Sequence, residues 1–245
     1  MTRVLVVQHD PTCPPALFGT WLEEAGCRLD VRRAHLGEEQ PSVRQYDGLL
    51  VLGGAMDADD DAGCPWLPAT RDRIREAALL GAPTLGICLG HQLAAIALGG
   101  TVARREAGPQ IGVLDVGWGC EVLLDPLVDR IAGEGRAVHW NQDVVVGLPP
   151  EAEVLARGPH GEVQAARLAR TVWGVQFHPE VDGEVVATWT AVDAGGVHAA
   201  GLTAEELVSQ TRAAAEELTD AWRPLAQAFA RMARGRSAAN GALWE

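Results

Sequence analysis

Apolar positions along the chain alternate between continuous short runs and stripes at helical spacing. Arg3 to Gln8 opens with such a run, Val4 to Val7. A segment follows with Leu17, Trp21, Leu22 and Ala25 on one side, stopped by Gly26, and then a second extended stretch over Cys27 to Val31. Leu49 to Leu52 is apolar without interruption, the pattern of a parallel strand covered on both faces. Pro68 to Leu80 reads as a helix, Thr84 to Ile87 as a buried strand, and the residues from Gly90 carry Leu93, Ala94, Ala97 and Leu98 at helical spacing. Gly99-Gly100 ends that helix. Further strands are expected at Thr101–Ala103, Gly112–Gly117, Val154–Ala156, Val163–Ala166 and Val172–Gln176, with extended structure continuing through Trp118–Leu124. A helix over 181–192 precedes the three-glycine stretch 193–202. Strands followed by helices favour right-handed strand–helix–strand units. They build an open, mostly parallel sheet with helices on both faces and a site at the carboxyl ends of its strands.

Thr203 and Glu206 form a capping-box pattern, and the helix they start is expected to reach Ala233, with Pro224 as its kink or break. Leu207, Thr211, Ala214, Leu218, Trp222, Leu225 and Phe229 make a stripe that has to be covered. Either the main domain covers it or a partner does, a second copy in a homodimer included. The residue boundaries are thus 1–193 for the main domain, 194–202 for a linker, 203–233 for a C-terminal helical extension and 234–245 for a flexible tail.

Composition narrows the choice of partner. Acidic residues outnumber basic ones to give a net charge of −13, which disfavours a nucleic-acid backbone as partner. All 20 basic residues are arginine, so lysine Schiff bases and a P-loop lysine are excluded, and no ATP-using half is visible. No run is long and apolar enough for a membrane span, and no leader pattern is present. The cysteines Cys13, Cys27, Cys64, Cys88 and Cys120 are odd in number and widely spaced, which fits a reducing cytoplasm.

The candidate chemistry sits at the junction of the 84–87 strand and the following helix. Cys88 lies there between Gly86 and Gly90, neighbours that let a sharp strand-to-helix turn close. The helix N-terminus favours negative charge on an adjacent sulfur, and its free N–H groups can face charge developing on a carbonyl oxygen. His178, at the end of a strand, can act as base, and Glu180 can hold its second ring nitrogen. His139 is a second candidate base but has no acidic residue two positions on. Asp57, Asp59 and Asp61 alternate like the start of a calcium loop, yet the glycine falls at the seventh position and the twelfth is Pro68, so a loop over the site anchored by Trp66 is the better reading. No metal and no organic cofactor is required.

Gly86-Ile87-Cys88-Leu89-Gly90-His91-Gln92 and Gly174-Val175-Gln176-Phe177-His178-Pro179-Glu180, with Gly53-Gly54 after an earlier strand, resemble the signatures of class I (triad-type) glutamine amidotransferases, and in particular stand-alone GMP-synthase-like domains. The resemblance covers roughly 3–192. It implies a flavodoxin-like α/β fold and a Cys88–His178–Glu180 triad that hydrolyses the glutamine side-chain amide through a γ-glutamyl thioester, releasing glutamate and ammonia. Backbone N–H groups of Gly54 and Leu89 would form the oxyanion hole, and Gln92, Gly53, His139, Asn141 and Gln142 would shape the substrate pocket. Asn141 and Gln142 depart from the histidine–glycine–aspartate pattern common there. A separate synthase subunit receiving ammonia is the implied partner. The alternative is a γ-glutamyl peptidase or amide hydrolase acting on a small γ-glutamyl compound, and a non-catalytic binding protein on the same fold is a third.

Overall fold

A computed structural model describes residues 1–129, 131 and 135–241. Its centre is a seven-stranded sheet of β1 (Thr2–Gln8), β2 (Cys27–Arg33), β3 (Gly48–Val51), β4 (Thr84–Ile87), β9 (Glu153–Arg157), β10 (Val163–Ala169) and β11 (Val172–Val175), in the order β2-β1-β3-β4-β11-β10-β9. The five strands from β2 to β11 run parallel, whereas β10 and β9 are added antiparallel. The sheet is therefore mixed, with a parallel majority. Residue alternation explains why it needs cover on both sides. Val4, Val6, Leu50 and Leu52 join one core, and Leu5, Val7, Leu49 and Val51 join the other.

The second of these cores is covered by α2 (Leu67–Leu80) and α3 (Leu89–Ala97). The first is covered by α1 (Ala16–Glu24), α4 (Gly183–Val192), α6 (Ala204–Ala213) and α7 (Ala215–Gly241). Two antiparallel strand pairs lie outside the main sheet: β5 (Thr101–Arg104) with β8 (Asp143–Gly147), and β6 (Gln110–Asp115) with β7 (Arg136–Asn141). No described helix is long and apolar enough to cross a membrane.

The structure departs from the sequence-based expectations in four places. Residues 120–124 close into a 3-10 turn instead of continuing extended, because Asp125 N–H bonds back to Val122 C=O at 3.1 Å and the buried Asp125 carboxylate then caps Leu127. The strand β8 follows the polar Asn141-Gln142 pair without a turn signature. The 194–202 stretch contains a short helix, α5 (Ala194–Ala199), whose first turn is capped by Asp193 despite two glycines. The C-terminal helix breaks at Ala214, not at Pro224, and α7 runs on past Ala233 to Gly241. Pro224 is tolerated because the carbonyl that loses its donor belongs to Asp220, which is exposed to water. Residues 242–245 of the expected tail lie outside the described residues.

Every member of the Leu207–Phe229 stripe is buried. The main domain covers it: Trp222 donates from Nε1 to Arg136 C=O at 3.1 Å and packs 4.6 Å from Phe177, two residues from the site strand's end. The stripe is thus part of the core and is not an exposed dimer face. Trp222→Ala should lower stability by about 4 kcal/mol, the usual cost of emptying a buried indole site. A denaturant melt would read this directly, and an effect under about 1 kcal/mol would contradict it.

Candidate active site

The parallel strands deliver four segments to one crevice at their carboxyl ends. β1 leads into the His9–Pro15 loop, β3 into Gly53-Gly54, β4 into Cys88, and β11 into Gln176 and His178. This is where the strand order reverses around β1 and β3, the place where open α/β sheets bind ligands. The cleft has a volume of about 470 Å³.

Cys88 occupies the turn between β4 and α3 with φ 51° and ψ −105°. Apart from Ala16 it is the one described non-glycine residue with positive φ. Such a conformation costs about 1–3 kcal/mol and has to be held by its surroundings. Cys88 N–H donates to Val175 C=O at 2.8 Å, and Cys88 C=O accepts from Gln92 N–H at 3.1 Å. The flanking glycines are a packing requirement. A Cβ on Gly86 would lie 2.3 Å from Gly90 O, and one on Gly90 would lie 2.1 Å from Val51 O. Gly90→Ala should therefore destabilise the fold by about 3 kcal/mol, since backbone atoms of β3 and the elbow cannot both give way. Thermal unfolding tests this, and a wild-type Tm would contradict it.

His178 Nδ1 lies 2.7 Å from Glu180 Oε1, with both side chains buried. Backbone pairing fixes the segment, because His178 N–H donates to Val138 C=O at 2.8 Å. Burial alone would lower the His178 pKa, but the Glu180 carboxylate, and after it the Cys88 sulfur, outweigh burial and push it up to about 10. The other buried histidines go the opposite way. Burial takes His9 and His139 down to about 3 and His91 down to about 4. His139 sits at 0 % exposure beside Phe177 and does not line the cleft, and no carboxylate among the described residues hydrogen-bonds its ring.

The structure distributes the remaining sequence candidates as follows. Gly54, Gln92, Asn141 and Gln142 line the cleft with Cys88 and His178. Gly53 stands behind them: a Cβ there would be 3.1 Å from His178 Cε1 and 3.7 Å from Cys88 Cβ. A Cβ on Gly54 would be 3.0 Å from the Leu89 side chain, so these two residues are neighbours. Leu89 opens α3, where an N–H has no intrahelical acceptor. Gly54 N–H makes no main-chain bond among the described residues. Gln92 Nε2 donates to Asp143 C=O at 3.0 Å and contacts Gln176 Oε1 at 3.3 Å. Gln164 bonds Gln110 at 2.9 Å, buried away from the cleft lining.

Gln176, within the second motif and buried outside the cleft lining, donates from Nε2 to Cys88 Sγ at 3.5 Å. Several lining residues had no local signal in the sequence. Trp140, Trp189 and Asp193 form one wall, and Asp10, Thr12 and Cys13 arrive from the loop after β1. At the rim Arg104 reaches Asp143 at 3.0 Å, Asp57 at 3.3 Å and Gln142 Oε1 at 2.6 Å. Burial, opposed by Arg104 and reinforced by Asp57, raises the Asp143 pKa. The acidic loop is anchored by Trp66 Nε1 on His9 Nδ1 at 3.1 Å and by Arg71 on Asp61 at 2.6 Å.

Comparison with known proteins identifies the family and the fold. The family model described as "Glutamine amidotransferase class-I" matches residues 20–187. Gamma-glutamyl peptidase 4 of Arabidopsis thaliana is 29% identical over 174 residues, covering 69% of this chain and 68% of that protein. A subunit of the glutamine-hydrolyzing GMP synthase of Halobacterium salinarum is 37% identical over 151 residues, covering 60% of this chain and 75% of that protein. Among solved structures, a glutamine amidotransferase from Thermotoga maritima superposes with a TM-score of 0.84 at 24% identity, covering 94% of this chain and 98% of the other, which shows a shared fold.

Proposed function

The chain belongs to the class-I glutamine amidotransferase family, and from that premise we propose that Cys88, His178 and Glu180 hydrolyse a glutamine-type side-chain amide through a γ-glutamyl thioester. The observation that carries the reading is the buried 2.7 Å contact between His178 and Glu180 in the cleft that also holds Cys88. Glu180 orients the imidazole and stabilises its protonated form. His178 holds the proton of the Cys88 thiol as an imidazolium while the sulfur attacks the carboxamide carbon, then passes it to the leaving nitrogen. The N–H groups of Gly54 and Leu89 face the oxyanion, each donor being worth roughly 3 kcal/mol in the transition state. Gln176, on the sulfur, holds the nucleophile in place. Water enters after the amine leaves, and His178 takes its proton as it splits the thioester.

Glutamine gives glutamate and ammonia by this route, and a separate synthase subunit is the natural recipient of the ammonia. The likeness to one subunit of a GMP synthase supports that arrangement. A second reading, hydrolysis of a larger γ-glutamyl compound, is favoured by the two tryptophans lining the cleft beside His178. Glutamate release by the purified full-length protein from glutamine, with and without a candidate synthase, tests the proposal. Turnover that depends on Cys88 is expected. Full turnover by a Cys88-less protein would overturn it.

A further inference from the structure

The leaving nitrogen of a γ-glutamyl amide must lie against His178, the group that protonates it. Trp189 stands on that side, its ring centroid 4.6 Å from that of His178, and Trp140 follows at 5.5 Å from Trp189. Val192 completes the wall at the rim with 68% exposure. An exit for ammonia alone requires neither indole. The cleft volume also falls in the roughly 300–1,000 Å³ range of sites for larger ligands.

The charges on this wall favour one sign of ligand. Asp193 accepts from Trp140 Nε1 at 2.9 Å and from Gly196 N–H at 2.9 Å, both neutral donors. Asp10 accepts from Thr12 N–H and Oγ1, again neutral. The one guanidinium in the lining, Arg104, is already engaged by Asp57, Asp143 and Gln142. A further observation is independent of the carboxylates. Asn141, next to Trp140 and 6% exposed in the cleft lining, spends its Nδ2 on Asp143 C=O, while its Oδ1 has no hydrogen-bond partner. That oxygen is covered in this conformation, so Asn141 adds a neutral edge to the wall and no positive charge.

We propose that the Trp140–Trp189–Asp193 wall is a leaving-group subsite, and that the substrate class is a γ-glutamyl amide of a primary amine bearing a second, cationic amino group. The proposal rests on Cys88 acting as the γ-glutamyl nucleophile. Cys88 Sγ bonds to the γ-glutamyl carbonyl carbon as the carbon–nitrogen bond breaks. The thiol proton moves through His178 to the departing nitrogen, and the free diamine leaves with its distal ammonium between the indoles and Asp193. Water then cleaves the thioester, its hydroxyl going to glutamate and its proton restoring the thiol. An ammonium beside aromatic rings and an unpaired carboxylate is favoured. The carboxylate of a γ-glutamyl dipeptide would instead meet Asp193 and Asp10, a like-charge contact that selects against it.

The test measures glutamate release by the full-length protein from glutamine, the mono-γ-glutamyl amide of diaminobutane, its neutral isostere γ-glutamyl pentylamide, and γ-glutamylglycine. The diaminobutane amide is expected to exceed the pentylamide in kcat/KM by about tenfold or more, the factor of one good charged contact, and to exceed γ-glutamylglycine as well. Asp193→Asn removes the charge and keeps one of the two acceptor oxygens that serve Gly196 and Trp140; with turnover of the neutral pentylamide unchanged as the control for an intact wall, it should bring the first ratio close to one. A wild-type ratio near or below one, with glutamine still turned over, overturns this proposal alone. A tenfold ratio that persists in Asp193→Asn overturns the assignment of the wall. Absence of Cys88-dependent glutamate from all four substrates overturns the hydrolytic reading and this proposal with it.

Discussion

Cys88→Ala lowers kcat for glutamate release from glutamine by about 10⁴-fold or more, because removing the nucleophile disables the other members of a cooperating site. The fold should persist. Cys88 is a small residue at 7% exposure, and alanine removes one atom while keeping a side chain of nearly the same shape at the turn. Cys13 is the internal comparison, since it lines the same cleft. Burial, and after it the charge of Asp10, push the Cys13 thiol far above the ordinary cysteine range, so it stays protonated and unreactive. Cys13→Ala should cost less than about tenfold, well short of the full nucleophile loss. Steady-state rates for the two variants side by side check the assignment. Equal losses, or a larger loss at Cys13, would contradict it.

Glu180→Gln is expected to produce the second-largest effect, a drop in kcat of about 10³- to 10⁴-fold, as found when the orienting carboxylate of a histidine is replaced by an amide. The pH profile separates this from a mere packing defect. Burial works to lower the His178 pKa, and the Glu180 charge, followed by Cys88, is what carries it up to about 10. Removing that negative charge leaves burial less opposed, so the imidazolium is lost at lower pH. The alkaline limb of kcat/KM is expected near pH 10 in the wild type and should move toward neutrality in the variant. A variant with reduced kcat but an unmoved alkaline limb would show that Glu180 does not hold the charge on His178.

The elements that carry these residues were readable where one physical signal dominated. Continuous apolar runs such as Leu49–Leu52 and Thr84–Ile87 have no polar face, and they became the central strands β3 and β4. The antiparallel β9 and β10 look alike in sequence to parallel strands, since direction is set by connections and not by composition. β8 was hidden because Val144–Val146 follow directly on a polar stretch with no turn residue between. α5 was hidden by its glycines, which a single capping carboxylate from Asp193 offsets. The break at Ala214 could not be read from Pro224, because a proline four residues after an exposed position, here Asp220, does not end a helix that is well packed on its other side.

The candidate site divides in the same way. Cys88, His178 and Glu180 stand in two local motifs, and their meeting follows from the pairing of β4 with β11, where Gly86 faces Gly174 and Ile87 faces Val175. The close approach has a steric cause: a Cβ at Gly174 would lie 2.0 Å from His91 Nδ1. His139 sits in a motif position too, yet β7 turns its ring inward onto Phe177, and Asn141 and Gln142 reach the cleft instead. Trp140, Trp189 and Asp193 come from β7, the end of α4 and the residue that caps α5, and no spacing rule links such distant positions. The bonds Trp140–Asp193 and Trp189–Thr12 assemble that wall only in three dimensions.

The central claim is a covalent γ-glutamyl group on one sulfur. Acid quenching of the full-length protein during turnover of glutamine, followed by peptide mass mapping, tests it most directly. The account predicts a γ-glutamyl adduct on the peptide that contains Cys88, absent from Cys88→Ala and accumulating in Glu180→Gln if deacylation slows more than acylation. An adduct on Cys13 in place of Cys88, or glutamate released at full rate from the Cys88→Ala protein, would contradict it.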